Sequence, residues 1–294
     1  MSLTINQVAK NGDIIATITG ENSVTLTTKG YNSGDKLVFK SDSPDVWVNV
    51  AKDVSECQIF IPNGEFEFPI PEGEAMSGFA PDTFSGEQTV TMRIATSDDL
   101  STYRNLCLNP LDIRLASEVV DPDAPEWSNP TDSDAIKNGE VIAFPHAYAN
   151  RITRNEGCFY ARNAIDGMSV PNGHGIYPYH SWGGAVHEDL TFTVYFGREV
   201  ELDTLVLALR SDYNKDDNGR EHDTFWHTAV IETSDGFKEE IKPQKSQEGQ
   251  KFDLGKHKTT WIKLQRLDPY QHDGSLNFAA LNQLEAWGTI CTRP

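Results

Sequence analysis

The sequence contains no apolar run that approaches the roughly 18 residues needed for a membrane-spanning helix. It is also poor in basic residues, with 25 lysines and arginines against 44 aspartates and glutamates, and its formal net charge is −19. Such a charge repels the phosphates of nucleic acids and the surfaces of anionic membranes. The composition therefore argues against nucleic acid and membrane partners and favours a neutral or cationic ligand.

The first residues, Met-Ser-Leu-Thr-Ile, have neither the basic nor the apolar segment of a secretory signal. We therefore expect a cytoplasmic protein; if a tag has replaced the native start, a secreted or cell-surface location is the alternative. The four cysteines, Cys57, Cys107, Cys158 and Cys291, lack the close spacing of a metal site. We expect free and mostly buried thiols, with disulfides as the alternative.

Apolar residues recur at every second position in several segments, among them 46–50, 66–70, 90–94 and 190–196. This alternation is typical of strands with one buried face. The run 202–209 is continuously apolar, as in a strand buried on both faces. Turn-forming pairs such as Asn-Gly and Ser-Gly separate the runs, so the pattern predicts an all-β fold. Further strands are predicted at 227–234, 259–265 and 281–288.

The length of 294 residues favours two domains. Residues 121–134 are rich in proline, aspartate and serine, a composition typical of a linker. We therefore predict an N-terminal β-sandwich domain at 1–116, to which the sequence assigns no role, and a second β-sandwich domain at 141–294. Residues 117–140 between them are interpreted as a linker or an extended crossover.

Six short motifs follow one another in the second half of the chain. In order, they lie at 161–167, 181–183, 195–206, 232–236, 261–264 and 281–288. Their residues and spacing resemble the discoidin family, also called coagulation factor 5/8 type C, and especially the bacterial family 32 carbohydrate-binding modules. The resemblance covers about 145–288. It implies a galactose-binding-like jelly roll that binds a mono- or oligosaccharide.

The resemblance also implies a structural calcium ion, held by an Asp-Gly turn and by a glutamate of the last strand. In this sequence those positions are Asp166 and Glu285. Calcium prefers carboxylate and carbonyl oxygens as ligands. The loop after the turn, 168–175, is longer than is usual in the family and lacks its threonine. A purely structural role for Asp166 and Glu285 is therefore the alternative.

Sugar binding needs an aromatic face for the apolar side of the pyranose ring and planar polar groups for its hydroxyls. In the family, such residues lie on loops at one end of the sandwich. The predicted ligand-binding residues on the corresponding loops are His174, Tyr179, His180, Arg210, Asp212, His222, Asp223 and Trp226. An ion pair of Arg210 with Asp212 or Asp223 is the competing interpretation for Arg210. A position at the edge of the core is the competing one for Trp226. A hydrogen-bonded structural role is favoured for His146, and a core position for Trp182.

The sequence contains no zinc-protease helix motif, no nucleophile elbow and no glycine-rich phosphate loop. We therefore expect reversible, non-catalytic binding. Two alternatives stay open. A carbohydrate-active enzyme would build its site at the domain junction, partly from the linker and from residues 104–110. A protein-interaction module would instead expose an apolar patch of several hundred Å².

Overall fold

The computed structural model describes residues 1–113, 143–184, 189–211, 225–269 and 279–291. Antiparallel strands dominate these ranges, and the predicted all-β class is confirmed. Helical structure in them is limited to α1 (Ser97–Ser101) and to 3-10 helices at Gly73–Gly78, Thr153–Asn155, Gly157–Phe159 and Ala161–Ala164. No helix in the described ranges has the length and apolar character required to cross a membrane.

Two four-stranded antiparallel sheets form the N-terminal half. Its strands are β1 (Leu3–Val8), β2 (Ile14–Gly20), β3 (Ser23–Thr28), β4 (Lys36–Ser41), β5 (Asp45–Asn49), β6 (Cys57–Phe60), β7 (Glu65–Pro69) and β8 (Gln88–Ile94). The first sheet has the order β2–β1–β4–β7 and the second the order β3–β8–β5–β6. This half is therefore a β-sandwich.

The alternating sequence pattern explains the core of this half. Val46 and Val48 on β5 are fully buried, whereas Trp47 between them is half-buried on the opposite face. Phe39 on β4 and Phe66 on β7 stack with their ring centroids 4.7 Å apart. Residues of both sheets, such as Phe39 and Val48, belong to one buried hydrophobic cluster. One apolar side of each sheet therefore faces the other, which removes the largest side chains from water.

A single hydrogen-bonded set of eight strands forms the C-terminal half. Its strands are β9 (Arg104–Asn105), β10 (His146–Ala149), β11 (Trp182–Gly183), β12 (Thr191–Leu209), β13 (Trp226–Thr233), β14 (Lys238–Ile241), β15 (Gln250–Pro269) and β16 (Ala280–Ile290). The main path has the order β11–β16–β12–β15–β13–β14. In addition, β10 pairs with β12, and β9 pairs with β16.

The two longest strands, β12 and β15, pair with each other and both contribute residues to the C-terminal core. Their pairing register is interrupted between Tyr195 and Val200, and again between Leu202 and Thr204. Gly197 lies in the first interruption with a φ of +69°, a conformation that favours glycine. Phe192, from before this break, and Leu205, from after it, are buried in the same hydrophobic cluster. The interrupted strands therefore enclose one core.

The two halves contact each other through backbone and side-chain bonds. Phe60 and Phe144 exchange two backbone hydrogen bonds of 2.9 Å each. Arg198 of the C-terminal half forms an ion pair with Asp45 of the N-terminal half. The predicted linker at 117–140 lies outside the described residues, as does the predicted boundary at 116.

Candidate functional site

Both regions that carry predicted binding residues, and the ends of segment 270–278, lie at the same edge of the C-terminal sandwich. The backbone N–H of Ser211 donates to the carbonyl oxygen of Pro171 (2.7 Å), and that of Arg210 donates to Ala280 (2.9 Å). Trp226 pairs with Pro269 in the ladder between β13 and β15. The residues that flank segments 212–224 and 270–278 therefore lie next to one another and beside loop 171–180. We call this edge, with loop 171–180, the rim.

Loop 171–180 supplies several exposed side chains of the rim. His174 is exposed, Ile176 is 65% exposed and Tyr179 is 39% exposed. The ring of Tyr179 lies directly over Gly173, where a Cβ atom would be only 2.5 Å from the ring carbon Cδ1. Glycine at this position thus allows the ring to lie against the backbone, and the tyrosine presents an apolar face next to His174.

A buried aspartate–histidine pair holds this loop against the C-terminal core. The Nε2 atom of His180 lies 2.7 Å from Oδ2 of Asp166, and both side chains are buried. The ring of Tyr177 stacks on His180 at a centroid distance of 5.9 Å. His180 was predicted to contact the ligand. Its ring is buried beside Asp166 and has no access to solvent, so this structure does not support that contact. His180 instead holds the loop that carries Tyr179.

Two further predicted contact residues lie inside the fold. Trp226 is 2% exposed and packs against Trp182, with ring centroids 5.5 Å apart. This is the core position that competed with a stacking platform, and a buried indole cannot stack on a sugar. Arg210 is also buried. Its backbone belongs to the rim, but its guanidinium is not on the surface.

The other three predicted contact residues lie outside the described residues. They are Asp212, His222 and Asp223, all in segment 212–224. Of the eight predicted residues, the structure therefore places His174 and Tyr179 at the surface on the same loop and His180, Arg210 and Trp226 beneath it.

The two predicted calcium ligands are engaged in other bonds. Besides its bond to His180, Asp166 accepts a hydrogen bond from the backbone N–H of Met168 (2.9 Å). Glu285 accepts one from the indole N–H of Trp287 (2.7 Å). In the part of the chain that the structure describes, no three His, Cys, Asp or Glu side chains form a group that could hold a metal ion. Calcium takes about six to eight oxygens, which these side chains alone do not supply. The calcium site stays a prediction.

A cavity of about 550 Å³ lies at the junction of the two halves. Its lining is mainly apolar and includes Phe68, Phe79, Ile113 and Tyr160, and Arg162 contributes a charge. The Arg162 guanidinium donates to the carbonyl oxygens of Asp112 (2.9 Å) and Pro110 (2.8 Å) and lies 4.6 Å from the centroid of the Phe79 ring. Burial lowers the pKa of Arg162, and the charges of Asp166 and Asp112 oppose this shift.

Sequence reasoning missed the central role of Asp112 at this junction. Its Oδ1 atom lies 2.8 Å from Nδ1 of His146, and its Oδ2 atom accepts the backbone N–H of Ala147 at 2.8 Å. The prediction of a hydrogen-bonded structural histidine at 146 is confirmed. Asp112 itself carried no recognisable signal, because its partners lie more than thirty residues away in the sequence.

The three buried cysteines supply no activated nucleophile for a catalytic alternative. All four are free, and Cys57, Cys107 and Cys158 are buried, as expected from the sequence. Burial raises the pKa of the Cys158 thiol to about 11, and it raises the pKa values of Cys57 and Cys107 further. These three thiols therefore stay protonated at neutral pH, whereas thiolates are the reactive form.

Comparison with known proteins gives similarity at the level of solved structures. No family model matches the chain, and no curated protein matches it. Chitosan-binding module 1 of a chitosanase/glucanase from Paenibacillus sp. IK-5 is 12% identical and covers 49% of this chain and 95% of its own, with a TM-score of 0.35. The family 32 module from C. perfringens, solved with galactose, is 18% identical and covers 48% of this chain and 91% of its own, with a TM-score of 0.34.

A third similar structure extends over both halves. The serum fucolectin of striped bass, Morone saxatilis, is 8% identical and covers 91% of this chain and 86% of its own, with a TM-score of 0.39. The structures that this chain is similar to are thus discoidin-like, galactose-binding-like β-sandwiches.

Proposed function

We propose that the protein binds a mono- or oligosaccharide reversibly at the rim of its C-terminal half. The observation that supports this proposal is that residues flanking two of the segments lie beside loop 171–180 at one edge, through the bonds of Ser211 to Pro171 and of Arg210 to Ala280. Loops grouped at one end of a rigid sandwich are a common way to build a binding site. The order of the six sequence motifs supports the same assignment.

The exposed chemistry of the rim suits a sugar ring. Tyr179 offers a flat apolar face, and the backbone of Gly173 behind it limits its movement. His174 beside it is an exposed donor and acceptor for hydroxyl groups. In this proposal Asp212, His222 and Asp223 complete the polar contacts from segment 212–224. His180 and Asp166 act as positioning residues, because both are buried and hold the loop from within, and Tyr177 stacks on His180.

The mechanism is recognition without covalent chemistry. Stacking of the apolar sugar face on Tyr179 removes carbon-bound hydrogens from water, and the polar side chains replace the water that was bound to hydroxyls. A shallow site contacts few ligand atoms, so the affinity of a single rim for a monosaccharide is modest. The net charge of −19 favours neutral or amine-bearing sugars over anionic ones.

The test is a glycan array, followed by titration calorimetry with the strongest hit. We expect Tyr179→Ala to weaken binding at least about tenfold, or about 1.4 kcal/mol, and Tyr179→Phe to retain most of the affinity. Tyr103→Ala is the matched control. Tyr103 is also exposed, but it lies away from the rim. Its ring packs on Trp287, which pairs with Thr204 in the sheet.

The proposal would be contradicted if the folded wild-type protein bound no glycan. Equal losses of affinity in Tyr179→Ala and Tyr103→Ala would also contradict it. Release of reducing sugar from the same glycans, unaffected by Tyr179→Ala, would support instead an enzyme whose site is the cavity beside Arg162 at the junction.

A further inference from the structure

A short segment of the N-terminal half reaches the base of the rim. This segment, 73–78, is the 3-10 helix that follows β7. The carbonyl oxygen of Ser77 accepts the backbone N–H of Tyr177 at 2.7 Å. The Oε2 atom of Glu74 accepts the backbone N–H of Gly157, also at 2.7 Å. Segment 73–78 is therefore bonded both to loop 171–180 and to the chain that precedes it in the C-terminal half.

The bond from Ser77 holds loop 171–180 in its middle. Tyr177 lies inside the turn in which the N–H of Tyr179 donates to the carbonyl oxygen of Ile176 at 3.0 Å. The C-terminal half itself holds the same loop near both of its ends. The turn that presents the exposed Tyr179 ring is thus fixed by a residue of the other half.

The bond from Glu74 supports the chain that packs behind the loop. Its partner Gly157 begins the 3-10 helix Gly157–Phe159, and the next carbonyl oxygen, that of Cys158, accepts the N–H of Ser181 at 3.0 Å. Ser181 directly follows the loop. A Cβ atom on Gly157 would lie only 1.8 Å from the carbonyl oxygen of Glu74. The two segments therefore lie in direct backbone contact, which glycine permits.

We propose that segment 73–78 positions loop 171–180, so that the affinity of the rim for sugar depends on the N-terminal half. The inference rests on the sugar-binding function proposed for the rim, and it gives the N-terminal half a role in that function. A loop held at its middle has less conformational entropy to lose on binding than a loop held only at its ends. Glu74 and Ser77 are positioning residues, because they act through the loop and not on the ligand.

A purely structural role for these bonds would have different consequences. Phe60 and Phe144 also join the two halves, through two backbone hydrogen bonds. The halves therefore stay connected when the Glu74 bond is removed, and we expect Glu74→Ala to fold. A bond that only joins the halves affects stability alone. A bond that positions the loop also changes the protection of the loop amides and the affinity for sugar.

Glu74→Ala tests the proposal, with Glu72→Ala as the matched control. Both acids are exposed, and both accept a backbone N–H at 2.7 Å, but Glu72 accepts that of Gly34 within its own half. Hydrogen–deuterium exchange by mass spectrometry follows loop 171–180, and calorimetry measures affinity for the strongest glycan hit. In Glu74→Ala we expect exchange of the loop to rise at least about threefold and sugar binding to weaken about threefold to tenfold. Glu72→Ala should match the wild type in both.

Gly157→Ala is a stronger variant, because the added carbon forces the two segments apart. Gly64→Ala is its control: a Cβ there would lie 2.8 Å from the carbonyl oxygen of Ser41, inside the N-terminal half. Urea denaturation measures the stability of each variant. At a similar loss of stability, only Gly157→Ala should show faster exchange in loop 171–180 and an affinity at least about tenfold weaker. Glu74→Ala alone decides the outcome if Gly157→Ala does not fold.

Faster exchange of the loop and weaker binding in folded Glu74→Ala, without either change in the controls, would support the proposal. Unchanged exchange and affinity in that variant would overturn it and leave sugar binding at the rim intact. Equal losses of affinity in the controls would also overturn it. A wild type that binds no glycan would refute the function proposed for the rim and this inference with it.

Discussion

The two halves of the molecule use strands in different ways. In the N-terminal half the longest strands, β2 and β8, have seven residues, and each belongs to one of two separate sheets. In the C-terminal half β12 has 19 residues and β15 has 20, and both contribute to one core. Short strands leave open edges on both sheets. Long interrupted strands bring the ends of several loops to one rim.

This difference also decides what each half exposes. The N-terminal half exposes strand edges, among them those of β2 and β3. The C-terminal half offers exposed side chains on loops, as with His174 and Tyr179. The difference also predicts that substitutions at the bonds between the halves, or at the strand interruptions, cost more stability than comparable ones in N-terminal turns.

The largest effect is expected at the junction, in Asp112→Ala. This carboxylate accepts the Ala147 N–H and bonds the His146 ring inside the protein. Its loss leaves both groups without this acceptor, and we expect the free energy of unfolding to fall by about 3 kcal/mol. Urea denaturation followed by tryptophan fluorescence measures this. Glu87→Ala, at an exposed acid of the N-terminal half, is the control, with an expected change below about 0.5 kcal/mol. Similar losses in both variants would show that Asp112 does not tie the halves together.

An intermediate effect is expected at the interruption of β12, in Gly197→Ala. Gly197 has a φ of +69°, and a Cβ there would lie 2.4 Å from Cδ2 of Phe144. Gly12→Ala is the matched substitution in an N-terminal turn, at a φ of +92° with no atom within 4 Å of the added carbon. Both variants carry backbone strain, but only Gly197→Ala also forces apart packed atoms, at a cost of about 1–3 kcal/mol. Thermal unfolding should show this difference. Equal melting temperatures would remove the packing role assigned to Gly197.

The smallest effect, and one confined to the N-terminal half, is expected in Asp99→Asn. Hydrogen bonds from Arg93, and then from Thr96, hold the pKa of the Asp99 carboxyl well below its usual value. Because the folded state lowers this pKa, the carboxylate stabilises the protein above the unfolded-state pKa of about 3.9, and that contribution is lost as the pH falls below it. At pH 7 we expect Asp99→Asn to cost about 1 kcal/mol.

Urea titrations of the wild type and of Asp99→Asn at neutral and acidic pH check the sign. The difference between the two proteins should shrink as the pH is lowered through about 4. Asp98→Asn, at the exposed neighbouring acid, is the control and should show a smaller difference. A difference that grows in acid would contradict the assignment of Arg93 and Thr96 as the partners that lower the pKa.

The sequence predicted the strands better than the binding residues. Alternation at 46–50 and 66–70 correctly indicated β5 and β7, because a half-buried strand repeats every two residues. The continuous run at 202–209 correctly lies in the buried part of β12. However, polar neighbours in the sequence did not indicate that a side chain is exposed to solvent. His180 and Arg210 adjoin loops and are buried, since their neighbours in space come from distant segments.

By itself, the sequence determined the all-β class, the two apolar cores and the order of the motifs, since each depends on the local pattern along a few residues. Only the tertiary structure decided that His180 pairs with Asp166, that Asp112 pairs with His146, and that Tyr179 is the more exposed of the two tyrosines on its loop. The physical reason is that burial and hydrogen-bond partners are properties of the packed chain. They join residues 14 and 34 positions apart here, and no period in the sequence records them.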